Sequence, residues 1–333
     1  MLPDPEKVRN ILAVRNDRFG EFLLNIPALR ALKQTFTNSR LIIAVDPYVS
    51  ELAAEFPLVD EVISWGRSGH SLAEKIKLIV SLRKRKIDIA VMLNPSKEFN
   101  LLSCLAGIPI RVGYARKWHF LLTHKAKDKK HLGLKHEIEY NLELVGMIGA
   151  KTGDKSLFLP VDEKLSQELW ERFNLLDAQK LVALHPWTSD PVKQWPLDNF
   201  QELARILLKV PALKLLIVGG ANELPLSKQL FGSIKQDNLV NLTGRLTLKE
   251  LAAILKKADL LVSGDSGPVH LACCVDTPVL ALFRSDLPGK NAARWGPWGE
   301  GHIVIQKNSL KDITVNDVLE KIKEKLNLGY ATK

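Results

Sequence analysis

Short apolar runs rich in Val and Ile alternate with amphipathic stretches along this chain, in two successive series. In the first series VRNILAV, RLIIAVD, VDEVISW and IDIAVML have the length and β-branched content of strands. PALRALKQTF and SLAEKIKLIVSLRKRK, between them, carry apolar residues at helical spacing. In the second series the strands are KLVALHP, LKLLIVGG, LVNLTG, ADLLVSGD and TPVLALF. Its helices are NFQELARILLK, ELPLSKQLFGSI and TLKELAAILKK. Strand and helix in alternation require crossover connections and therefore parallel sheets, so the expected fold class is α/β, with two Rossmann-like, doubly wound domains. The polar segment AKTGDKSLFLPVDEK separates the two series and sets the expected domains at 1–160 and 161–333. The last helix, VNDVLEKIKEKLN, fits either domain. Such sheets take ligands at the carboxyl ends of their strands, and two of them are expected to face each other across a cleft.

Those strand ends hold the polar residues that invite a chemical reading. RNDRFGEFLLNIPAL follows the first strand and sets Asp17, Gly20 and Glu21 at a strand-to-helix junction, flanked by Arg15 and Arg18. In ADLLVSGDSGPVHLA, Asp265 and Ser266 precede a helix opened by Pro268, with Ser266 suited to the N-cap and Gly267 offering its amide at the positive end of the helix dipole. His270, in the first turn, could add a donor; the plainer reading is an ordinary strand-to-helix turn with a satisfied histidine. HPWTSDPVKQWP adds the hydroxyls of Thr188 and Ser189 and the ammonium of Lys193, which could neutralise a diphosphate or lie solvated. VGGANE adds two glycines that would admit a nucleotide close to the backbone, with Glu223 placed to accept ribose hydroxyls.

The chain of 333 residues has a formal charge of +10, which favours an anionic partner. Much of that charge lies between Arg111 and His136. Arg111, Arg116, Lys117, Lys125, Lys127, Lys129, Lys130 and Lys135 alternate there with Tyr114, Trp118 and Phe120, a pattern read as a basic loop. No apolar run approaches the roughly 20 residues of a membrane span. MLPDPEKVRN lacks a signal peptide's hydrophobic segment, and Cys104, Cys273 and Cys274 show neither disulfide nor metal spacing, so a reducing cytoplasm is expected. A GxxxxGK[ST] loop and a GxGxxG turn after the first strand are both absent, which argues against a P-loop NTPase or an ordinary nicotinamide dehydrogenase. With no Asp-x-Asp pair and no His or Cys cluster, a metal-independent reaction is expected.

RNDRFGEFLLNIPALRALK, HPWTSDPVKQWP, VGGANE, LTGRLTLKELAAILKKADLLVSGDSGPVHLA and RWGPWG together resemble glycosyltransferase family 9, the ADP-heptose:lipopolysaccharide heptosyltransferases. The resemblance runs from about residue 8 to 305. It implies a GT-B enzyme whose N-terminal domain binds the acceptor and whose C-terminal domain binds the sugar nucleotide. It also implies an inverting transfer from ADP-heptose, without a cofactor, to a sugar of the lipopolysaccharide inner core. Glu21 then matches the position of the general base, with Asp17 as the other candidate. Thr188, Ser189, Lys193, Glu223, Asp265, Ser266, Gly267 and His270 match the donor site, Lys193 also facing the leaving diphosphate. Arg111, Arg116, Lys117, Lys125, Lys127, Lys129 and Lys130 would steer an anionic, lipid-linked acceptor, which implies peripheral association with the inner face of the cytoplasmic membrane and no nucleic-acid partner. Two positions depart from the family pattern: Glu21 stands where aspartate is usual, and Arg284 where a glycine often follows Leu-Phe. They leave open a different nucleotide sugar or acceptor, or a non-catalytic binding homologue.

Overall fold

Among the described residues every strand pairing is parallel, and the strands form two six-stranded sheets. The computed structural model describes residues 2–328 apart from 177 and 212. The first sheet contains β1 (Asn10–Arg15), β2 (Arg40–Val45), β3 (Glu61–Ser64), β4 (Ile89–Met92), β5 (Ile110–Tyr114) and β6 (His124–Ala126), in the order β3-β2-β1-β4-β5-β6. The second contains β7 (Lys180–His185), β8 (Leu213–Ile217), β9 (Leu239–Asn241), β10 (Leu260–Gly264), β11 (Val279–Arg284) and β12 (Ile303–Lys307), in the order β12-β11-β10-β7-β8-β9. Numbered within its own sheet, each set has the same order, 3-2-1-4-5-6. In each sheet the direction of winding reverses beside the first strand, between β1 and β4 and between β7 and β10. A crevice opens at such a point, beyond the carboxyl ends of the two strands.

The chain divides into two units between Leu157 and Phe158, shortly before the boundary expected at 160. The Leu159 amide donates to the Cys274 carbonyl at 2.8 Å, which ties the segment after the division to the second unit. In the first unit Leu12, Val14, Ile42, Ala44 and Ala90 pack with Leu82, Phe99 and Leu102 of the covering helices. Central strands covered on both faces read as unbroken apolar runs, which is why the sequence displays them clearly. The helices begin where local chemistry predicts. Ser71–Glu74, Thr247–Glu250 and Thr314–Asp317 each form a reciprocal capping box.

Val318, Ile322 and Leu326 of the final helix, Val315–Leu326, join the core built on Val182, Leu184, Leu215 and Leu280, so that helix packs on the second unit. Trp195 is fully buried in this core and meets the Phe200 ring edge-on at 4.7 Å, and its indole N–H donates to the Ile313 carbonyl at 2.9 Å. Satisfying the indole N–H this way removes the penalty for burying it.

The stretch read as a basic loop is partly sheet. β5 and the three-residue β6 lie within it, and His119–Leu121 and Lys130–Leu132 form short 3-10 turns. Short strands with lysines on them escape a reading based on apolar runs. The sixth strand of the second sheet, IVIQK, was also not anticipated; as an edge strand it alternates half-buried and exposed positions.

Candidate active site

In the first unit the polar residues gather where β1 and β4 end. β1 runs out at Arg15, and a helix of one and a half turns, Phe19–Leu23, follows. Pro27 lacks the N–H that would continue that helix, so the chain starts a second one at Ile26, with Asn25 donating its side-chain amide to the Glu21 and Phe22 carbonyls. This break leaves Glu21 in a short first turn directly above Arg15.

Arg15 is 2 % exposed and uses every edge of its guanidinium. Nε donates to Asp17 Oδ1 at 2.7 Å, Nη2 to Glu21 Oε2, and Nη1 to the Leu93 carbonyl at 2.9 Å, at the end of β4. Nη1 also stands 3.7 Å from Glu137 Oε1. Burial opposes the charge on Arg15, but the carboxylates of Asp17, Glu21 and Glu137 outweigh it and raise its pKa further. Glu137, 1 % exposed, accepts from Lys130 Nζ at 2.5 Å. Lys130 in turn donates to Asn141 Oδ1 at 3.2 Å and lies 4.3 Å from the centre of the Tyr114 ring.

Asp17 and Glu21 stand close enough on Arg15 for one carboxyl, when protonated, to donate to the other. Burial pushes the Asp17 carboxyl up to about 7, against the pull of Arg15. At Glu21 burial works the same way, but Arg15 and the hydrogen bond to Asp17 prevail and hold that carboxyl down at about 2. Two buried cations, Arg15 and Lys130, therefore face three carboxyls, and a proton taken up by Asp17 near 7 balances the cluster. A pair of this kind, titrating near neutrality, can take a proton from a hydroxyl group.

In the second unit the corresponding crevice, at the ends of β7 and β10, holds His185, Ser263 and Ser266. Ser263 Oγ and Ser266 Oγ are 2.8 Å apart, and His185 Nδ1 lies 3.1 Å from the first and 3.2 Å from the second. Burial pushes the His185 pKa down to about 3, so its imidazole is neutral. Ser266 occupies the N-cap position of the helix Gly267–Cys274, yet its hydroxyl makes no capping bond and turns to His185 and Ser263 instead. The expected side-chain cap is absent because that hydroxyl is already engaged. His270 is buried within the same helix.

Lys193 closes the 3-10 turn Pro191–Lys193 and pairs with Asp265 Oδ2 at 2.6 Å. A Cβ on Gly264 would come within 3.2 Å of the Lys193 carbonyl, so glycine lets the turn approach the end of β10. Thr188 Oγ1 accepts from the Asp190 amide at 3.3 Å and shapes the same loop, while Ser189 is exposed. The loop is clamped from the other side. Arg284 donates to the Val192 carbonyl at 2.7 Å and forks onto Asp286, and Lys290 pairs with Asp190 at 2.8 Å. Arg284, which departs from the family pattern, is thus a staple for the loop that carries Lys193. The first glycine of VGGANE also has a structural reason: a Cβ there would lie 2.4 Å from Trp187 Nε1, which donates to the Val218 carbonyl at 3.0 Å. Gly219 makes room for an indole. Glu223 is half-buried beside Gly220, at the start of the following helix.

The expected acceptor cations separate into two groups. Arg111 is spent on the Leu121 and Ile108 carbonyls, Arg116 on Asp128 at 3.0 Å, and Lys117 on the Pro95 carbonyl at 3.0 Å. Lys130 is corrected outright: it is 8 % exposed and neutralises Glu137, because that carboxylate could not otherwise be buried. Lys125, Lys127 and Lys129 remain exposed, near Trp118 and Phe120 in sequence, whose rings are exposed too. Glu137, Asn141, Ser263 and His185 carry no spacing signal and went unrecognised as site residues. Among the described residues no group of three or more His, Cys, Asp and Glu side chains could hold a metal ion, and no helix is long and apolar enough to cross a membrane.

Two doubly wound units of this kind make a GT-B fold, and solved structures share it. The structure of E. coli ADP-heptose LPS heptosyltransferase II superposes with a TM-score of 0.83 at 22 % identity, covering 96 % of this chain and 98 % of that one. The E. coli heptosyltransferase WaaC with ADP gives 0.72 at 21 %, covering 95 % and 99 %. In sequence, lipopolysaccharide heptosyltransferase 2 of Salmonella typhimurium is 23 % identical over 342 aligned positions, 94 % of this chain and 97 % of that protein. The sequence profile of glycosyltransferase family 9 (heptosyltransferase) matches residues 75–323, well over half of the chain. The protein belongs to that family and is a glycosyltransferase.

Proposed function

We propose that this enzyme transfers a heptose from ADP-heptose to a sugar of the lipopolysaccharide inner core, with inversion at the anomeric carbon. The observation that carries the reading is the Asp17–Glu21 pair, both carboxylates set on the buried Arg15 guanidinium at the carboxyl end of β1, in a chain of this family. In the proposed reaction the pair takes the proton of the acceptor hydroxyl as its oxygen bonds to the anomeric carbon, and the bond to ADP breaks on the opposite face. Asp17, raised toward neutrality, is the member that gains the proton, while Glu21, anchored on Arg15, fixes its direction. This reverses the order suggested by the motif, in which Glu21 came first.

The departing diphosphate carries negative charge that Lys193, the amide of Gly267 and the hydroxyls beside His185 are suited to receive. That role would draw Lys193 away from Asp265. No cofactor is needed in this scheme. Because Arg284 is committed to Asp286 and Val192, it gives no ground for a different donor. Exposed Lys125, Lys127 and Lys129 support a peripheral position on an anionic membrane face, where a lipid-linked acceptor would be met. Incubation with ADP-heptose and a heptose-deficient core acceptor tests the reading. Product is expected from the wild type, and strong loss with retained ADP binding from Asp17→Asn and Glu21→Gln. Donor binding without any product would reject the proposed acceptor chemistry.

A further inference from the structure

Glu137 takes no part in the reaction described above, yet it is almost completely buried behind Arg15. Lys130 at 2.5 Å is partner enough to permit that burial. The second approach, from Arg15 Nη1 at 3.7 Å, has a different consequence. A guanidinium is a rigid planar fork, so whatever holds Nη1 also aims Nε and Nη2. Nη1 is held by the Leu93 carbonyl and Glu137, and the other two nitrogens meet Asp17 and Glu21. We propose that Glu137, seated by Lys130, is a positioning residue: it fixes the aim of Arg15 and the share of its charge reaching Asp17 and Glu21, and thereby governs proton uptake by that pair. The inference rests on the proposed role of the pair as proton acceptor.

The other charged and titratable groups around the pair do not substitute for Glu137. Arg18, beside Glu21, and Arg67, from the loop after β3, act on the pair from the solvent side and favour its ionisation. Tyr114 on β5 faces Glu137 and Arg15; burial raises its pKa, so it stays neutral. Asp128 is occupied by Arg116 and the Lys130 amide, and Glu143, paired with Lys135, is exposed. Glu137 is therefore the buried carboxylate that opposes Arg15 from behind.

Opposite charge changes should then move the pair in opposite directions. Glu137→Gln keeps the shape but removes the negative charge, leaving more of the Arg15 field on Asp17 and Glu21. The acid limb of the kcat/KM profile should move down by about one pH unit. Lys130→Met leaves Glu137 with Arg15 as its cation, draws that field away, and should move the limb up. The double variant should return toward the wild type. The same shifts should appear without substrate, in a carbon-13 NMR titration of the carboxyl groups of the folded protein. Coincident titrations for Glu137→Gln and wild type, or shifts of the same sign in both single variants, would overturn the proposal. If Lys130→Met does not fold, the comparison of Glu137→Gln with wild type decides alone. A wild type that fails to turn over ADP-heptose sinks the functional reading, while the NMR titration still judges Glu137.

Discussion

Lys193→Ala separates a structural from a chemical use of one ammonium group. In the structure this lysine is paired with Asp265 at 2.6 Å, the two side chains being only 13 % and 8 % exposed. Removing it strands a largely buried carboxylate. Breaking a wholly buried pair costs about 3–5 kcal/mol, and the residual solvent access here reduces that to about 2 kcal/mol. For a unit of this size the unfolding midpoint should fall by about 4–8 °C. If Lys193 also receives charge from the leaving diphosphate, kcat should drop about 10²- to 10³-fold, the scale of a lost oxyanion donor. Adding Asp265→Asn to Lys193→Ala removes the stranded charge and should restore most of the midpoint. Turnover should stay low. The measurements are calorimetric unfolding and steady-state ADP release with donor and acceptor. Wild-type turnover in the single variant, or its return in the double variant, would refute the leaving-group role and reduce the lysine to a partner for Asp265.

Three further outcomes are expected. Gly219→Ala would drive a methyl group into the Trp187 indole and should destabilise the second unit by about 1–3 kcal/mol, read as a lower urea midpoint. Arg284→Ala unstaples the Val192 carbonyl from the loop of Lys193, so the donor KM should rise about tenfold with stability little changed; an unaltered KM would show that the loop holds its place without the staple. His185 is buried with its pKa lowered to about 3 from 6.5, so the unfolded chain binds a proton there more readily than the folded one. Its contribution to stability is complete above about 6.5 and is lost as pH falls from there toward 3, and His185→Asn should flatten this part of the urea-midpoint profile.

Much of the fold was legible because its determinants are local. The predicted helix PALRALKQTF corresponds to Ile26–Thr35, and SLAEKIKLIVSLRKRK to Leu72–Lys84 behind its Ser71 cap. Edge strands were harder to see. β6 is only three residues long, and Lys125 on it has the charge that protects an exposed edge as readily as it suggests a ligand. The motif RNDRFGEF pointed to both carboxylates of the proposed pair but ranked them by resemblance, since the burial that raises Asp17 and the ion pair that lowers Glu21 depend on how the chain packs around them.

The sequence by itself determined that the chain would form two α/β units of parallel strands, because side-chain periodicity and capping are properties of consecutive residues. Which strands lie side by side was decided only in the tertiary structure, by packing between segments far apart in the chain. That ordering puts Arg15 beside Leu93, and the packing of the helix Glu137–Gly146 puts Glu137 behind it, though some 80 and 120 positions separate them in sequence. It likewise closes His185 against Ser263. Buried charges can be tolerated only where such distant partners converge, so the chemistry of the carboxyl pair follows from strand order as much as from the motif that contains it.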